Sequence, residues 1–171
     1  MCIRDRPDFP RPIPFDTIMM NDIAIMYFLQ YLEHCGYGNL LSFWKEVQNL
    51  SIVSITELDE TIKLIYTQYL ALGSEYCIYP DVDLLKEVER TLGNDTGECL
   101  DALAKLQEVV YHEIHEQHYE SFIHSESFRE FMEGEAENEE MTSLVRYNRS
   151  MSPAVNANAV SYTHLTLPTK A

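Results

Sequence analysis

Apolar residues in this chain recur at steps of three and four, and nowhere do apolar and polar residues alternate strictly. A helix turns about 100° per residue, so those steps line one face, whereas a half-buried strand needs steps of two. The pattern admits amphipathic helices and argues against a sheet. Ile25, Phe28, Leu29 and Leu32 make one stripe; Leu40, Phe43, Trp44 and Val47 make the next. Leu58, Ile62, Ile65, Tyr66 and Tyr69 follow, then Leu84, Leu85, Val88 and Leu92. A long stripe runs through Leu103, Leu106, Val110 and Ile114, and Tyr119, Phe122 and Ile123 extend or bend it. Phe128, Phe131 and Met132 mark a last short helix.

Start and stop signals agree with these stripes. Asp16 is expected to cap a short first helix over 15–20, and Asn21-Asp22 to open the second. Cys35-Gly36-Tyr37-Gly38 stops that helix and Gly73-Ser74 stops the third, which Ser54 or Thr56 caps. Pro80 bars helix in the connector, Asp81 or Asp83 caps the fourth helix, and Gly93–Gly97 is a turn. Ser125 caps the last helix. The expected fold is all-α, with short connections between antiparallel neighbours. Four prolines crowd residues 7–14, an extended lead-in. After Gly134 the chain turns Glu-rich and then Ser/Asn-rich, so 134–159 is expected to be an acidic, polar tail or linker. The globular part is placed at 15–133.

Both ends look foreign. Met1–Arg6 and Val160–Leu165 back-translate to strings that are reverse complements of each other. They resemble the transposase mosaic-end adapter used in preparing sequencing libraries, and Thr166–Thr169 fits its continuation. Residues 1–6 and 160–171 are therefore set aside as adapter arms. Met1 is not expected to be a natural start, and the natural chain is expected to continue past both arms.

Acids outnumber bases 28 to 12, giving a formal charge of −16. Nucleic-acid backbones and anionic membrane surfaces demand a basic patch, so neither is expected as the main partner. No apolar run approaches a membrane span. Between the arms lie three cysteines, an odd number without a CxxC pair, which suits a reducing cytosol better than a disulfide scaffold. A cytoplasmic location is expected, peripheral at the inner membrane face if neighbouring segments supply the contact.

Catalytic patterns fail one by one. There is no G-x-S-x-G, Walker A or G-x-G-x-x-G. His112, His115 and His118 sit three apart rather than four, so only the first two could share a metal, and zinc needs further ligands nearby. They read as a polar helix face. The Glu–Glu pairs near 133–140 lack the rigid cleft that paired carboxylates need. His34 and Cys35 adjoin, and adjacent helical residues do not face each other. No catalytic residue, metal or cofactor is expected.

Three blocks carry a resemblance. Ile25–Glu33 is similar to the pattern xxFxxFLE, Asn39–Val47 to ENxxFWxxV, and Tyr119–Phe128 to YxxFLxSxxF. Between them Ile65–Leu70 is similar to IYxxFI and Gln107–Tyr111 to QxxIF. Their order resembles the regulator of G-protein signalling (RGS) family from about Phe15 to Met132. The resemblance implies about nine helices, with a central antiparallel four-helix bundle and a subdomain joining both termini. It also implies binding to the switch regions of a heterotrimeric G-protein α subunit (Gα) and faster GTP hydrolysis there. Such domains add no catalytic group; they hold the switches in the transition-state arrangement. An isolated domain of this kind is expected to be monomeric.

The resemblance places partner-binding residues at Gly38, Asn39, Gln117, His118 and Ser121, and all of these but Asn39 depart from the activating pattern. Gly38-Asn39 keeps the family Asn and loses the acid before it. Gln117-His118-Tyr119 stands where activating members have Asp-Ser-Tyr, and Ser121 where they have Arg. The resemblance also implies a further family Asn between the fourth helix and the long helix, which the pattern over Glu87–Asn94 does not place. Losing a charge-assisted bond at a desolvated contact costs about 2–5 kcal/mol. The alternative to an activator is therefore a non-activating RGS-homology interaction module of a larger scaffold, anchoring or sorting protein. A bland reading of Asn39 also stands: it caps the helix that follows.

Overall fold

The structure is a computed structural model and describes residues 13–150, with side chains through Glu139. The adapter arms, the lead-in before Ile13 and the end of the expected tail lie outside the described residues. The elements are α1 (Phe15–Met20), α2 (Asp22–Cys35), α3 (Gly38–Asn49), α4 (Ile55–Ile65), α5 (Val82–Thr91), α6 (Thr96–Ile114), α7 (Glu120–Ile123) and α8 (Glu126–Ser150). A 3-10 turn, Leu50–Ile52, follows α3. A π-helical turn, Tyr66–Leu70, continues α4 without a break. A second, His115–Tyr119, welds α6 to α7. With these welds the described residues form seven continuous helices and no strand, against about nine expected. Tyr119, Phe122 and Ile123 extend the long helix through a π turn rather than starting another.

Most start signals act as their chemistry dictates. The Asn21 side chain accepts from the amides of Ile23 and Ala24 at 2.9 and 2.8 Å, satisfying two donors that the first turn of α2 leaves orphaned. Asp81, not Asp83, does the same for α5. The Phe128 amide donates to Ser125 Oγ. Asp16 is no cap: Pro14 stands at the cap of α1, and Asp16 accepts from the Tyr111 hydroxyl of α6 instead. Ser54 holds the cap position of α4 and Thr56 does not, but Ser54 Oγ turns to the Glu57 carboxylate rather than to backbone.

α6 is the spine. It packs against α3 on one side and α5 on the other, while α3 also meets α2 and α4. Gln107 of α6 reinforces the first contact, donating from Nε2 to the Trp44 carbonyl at 3.0 Å. Phe28, Phe43 and Phe122 are fully buried, with the Phe28 and Phe122 rings 4.6 Å apart. Each would cost about 3–5 kcal/mol to truncate to Ala. Trp44, expected in the core, is only half-buried. Phe15 brings α1 onto the far end of α6, its ring 4.7 Å from His115 and 4.9 Å from Tyr111. Tyr119 Oη donates to the Ile13 carbonyl at 2.6 Å, so the start of the domain is fastened to its last third.

This helical unit runs to Phe131. A second unit begins at Met132 and contains the rest of α8. The expected tail is thus helical as far as Ser150. Glu133, Glu135, Glu137 and Glu139 recur at every second position there, which spreads charge around the helix instead of building an apolar stripe. No helix among the described residues is long and apolar enough to cross a membrane.

Candidate partner-binding edge

The edge starts at the corner between α2 and α3. Gly36 ends α2 with φ +85°, a left-handed conformation that releases the chain at once. Gly38 then opens α3 pressed on α2: a Cβ at this position would stand 2.6 Å from Glu33 Cγ. Gly38 is buried, so it sets the corner rather than meeting a partner. Asn39 follows inside the first turn of α3. Tyr37, not Asn39, is at the cap position, and no side chain caps this helix. The capping reading of Asn39 therefore fails. Its amide makes no hydrogen bond among the described residues and lines an open cleft.

That cleft, of about 330 Å³, is walled by three stretches of chain. The corner supplies Gly36, Tyr37, Asn39 and Leu40. The connector between α4 and α5 supplies Ser74, Glu75 and Cys77 to Tyr79, and α6 supplies Glu113. The connector is pinned by the Ile78 amide, which donates to the Tyr69 carbonyl at 2.9 Å. Tyr79 adopts φ +50°, a left-handed backbone unusual for a bulky residue, and its ring is largely exposed. Ser74 Oγ is hidden from solvent and has no hydrogen-bond partner. Leaving a buried polar group unmet costs about 1–3 kcal/mol, so such groups point to functional positions.

The π turn borders the corner. His118 is 8% exposed, and its ring centroid lies 4.4 Å from that of Tyr37. Its Nε2 is buried without a partner. Burial pushes its pKa below the usual histidine value, against the opposing pull of Glu113. His118 is thus a wall of the edge and not an exposed contact. Gln117 just before it and Ser121 one turn later are exposed. Ser121 is near the Tyr31 phenol, whose pKa is raised first by burial and then by Cys35, while Ser121 pulls the other way. No Lys or Arg lies on this stretch, and its one carboxylate, Glu120, is exposed.

The structure sets Asn39 and the 117–121 stretch near one corner, and adds to them a connector that the sequence pattern did not single out. Nothing from 87–94 lines the cleft; Ser74, Glu75 and Cys77 to Tyr79 do. The only local signal was Gly73-Ser74 followed by Pro80, which marks an irregular segment and says nothing about its neighbours. His112 and His115 are exposed, and the described residues contain no group of three or more possible metal ligands.

Known proteins agree with the fold. Human sorting nexin-25 is 26% identical over 131 residues, covering 77% of this chain and 15% of the human protein. Mouse sorting nexin-25 is 24% identical over 133 residues, 78% of this chain and 15% of the mouse protein. The chain therefore spans about 15% of the length of these relatives. The family model described as the regulator of G protein signaling domain matches residues 14–131, from the residue before α1 to the last buried ring of the bundle. This all-α chain belongs to the RGS domain family, as a divergent member.

Proposed function

We propose that this domain is a protein-interaction module of a larger protein, engaging a partner of the Gα type through the edge at Asn39 without accelerating GTP hydrolysis. One observation carries the reading. The stretch facing a partner beside the corner presents Gln117 and Ser121, neutral and exposed, with the buried His118 ring between them. An edge that holds another protein's switch loops in a transition-state geometry needs fixed charge-assisted bonds, and neutral Gln117 and Ser121 cannot supply the Asp and Arg of the activating pattern. Similarity to sorting nexin-25, by name a sorting protein, supports a place within a sorting protein.

A second reading, activation through Asn39, keeps one observation of its own: the Asn39 amide is unbonded and lines the cleft. Single-turnover GTP hydrolysis by a panel of Gα subunits, with and without the domain, separates the two. The interaction-module reading expects rates unchanged within about twofold, together with measurable binding to at least one Gα. Acceleration that disappears in Asn39→Ala overturns it in favour of activation. Absence of both acceleration and binding to every Gα, including the aluminium-fluoride form, removes Gα from the proposal.

A further inference from the structure

The cleft beside Asn39 has a chemistry of its own. Its charged lining is wholly acidic, the Glu75 and Glu113 carboxylates, beside the Asn39 amide and the Ser74 hydroxyl, which can donate or accept. No Lys or Arg lines it, so an anion has no counter-charge there. Neither carboxylate is engaged in an ion pair within the described residues; the six pairs present lie elsewhere. Ser74 also lines the cleft, while its Oγ is itself shielded from solvent and unpartnered. Two rings, Tyr37 and Tyr79, also line the cleft, 47% and 78% exposed. A metal ion is a poor occupant, since the described residues hold no cluster of three ligands.

We infer that this cleft receives an arginine side chain presented by the partner protein. A guanidinium is planar and carries five N–H donors, enough for both carboxylates and the neutral acceptors beside them. Its flat face stacks on exposed tyrosine rings, which a lysine ammonium does less well. The formal charge of −16 favours a cationic over an anionic group in general. The inference rests on the edge at Asn39 being the partner-binding edge, and it names the partner's contribution.

The test is an NMR titration of the intact chain with N-acetyl-arginine amide. N-acetyl-lysine amide and the neutral isostere N-acetyl-citrulline amide serve as comparisons. Saturable shifts at Asn39, Ser74 and Tyr79 are expected with the arginine compound, weaker with the lysine compound and absent with citrulline. The Glu75→Gln/Glu113→Gln double variant should bind the arginine compound at least about fivefold more weakly, since both charge contacts are lost. Neither carboxylate is in an internal ion pair, so the variant is expected to melt with the wild type. Citrulline binding as tightly as arginine, an unchanged affinity in the double variant, or no saturable shift at these residues overturns the assignment. The titration contains no Gα, so a failure here is distinct from a failure of the hydrolysis experiment.

Discussion

Gly38→Ala isolates the geometry that presents Asn39. The added Cβ would stand 2.6 Å from Glu33 Cγ, 3.2 Å from Glu33 Cα and 3.4 Å from Glu33 Cβ. The first contact is to a side chain that can swing away; the second is to helix α2 itself and cannot. Overpacking of this kind costs about 1–3 kcal/mol. Alanine recovers at most ~1 kcal/mol of helix preference over glycine. With the middle of each range, about 2 and about 0.75 kcal/mol, the net loss is about 1 kcal/mol, a fall in Tm of roughly 3–5 °C for a domain of this size. Glu33→Ala in the same chain removes the 2.6 Å contact and leaves the backbone one, so it should restore part of the loss, with a coupling of about 1 kcal/mol. Gly36→Ala is the control. It meets nothing within 4 Å, but its φ of +85° costs an L-residue about 1–2 kcal/mol, and Glu33→Ala should not relieve that. Thermal and denaturant melts of the four variants read all of this. A Gly38→Ala protein as stable as wild type, or one that Glu33→Ala does not help at all, would falsify the close-packed corner.

Two further expectations concern titration. The Tyr111 phenol is pushed up to about 12 by burial and by its hydrogen bond to Asp16. A raised pKa favours the protonated fold, so this contribution is complete below the ordinary value of 10.0 and is lost as pH climbs to about 12. Tyr111→Phe should flatten that alkaline loss in pH-dependent melts; an unchanged profile refutes it. Burial lowers the pKa of His118 from 6.5, so its contribution is present above 6.5 and fades as pH falls below it. His118→Gln should show a smaller acid-side drop in stability, and histidine ring signals should report a titration below 6.5; a His118 that titrates above 6.5 contradicts the buried ring.

How much of the edge was legible follows from the range of each force. Asn21 was readable as a cap because a cap acts on amides two and three residues away. Asp16 looked like a cap by the same rule and is not one, because Tyr111 competes for its carboxylate from 95 residues along the chain. Asn39 and Gln117 were found through motif blocks; Ser74 and Tyr79 were not, since an irregular connector carries no periodicity.

By itself the sequence determined the helical class, the stripes that become the core and the glycine stops that turn the chain at Gly36. These are local: backbone sterics and side-chain spacing decide them before any long-range contact forms. Only the tertiary structure decided that Asn39 caps nothing, that His118 is a buried wall against Tyr37, and that the 74–79 connector closes a cleft with Glu113. Those outcomes depend on which surfaces α3 and α6 present once packed. A pattern of apolar spacing says which face turns inward, but not which polar groups then meet on the outside.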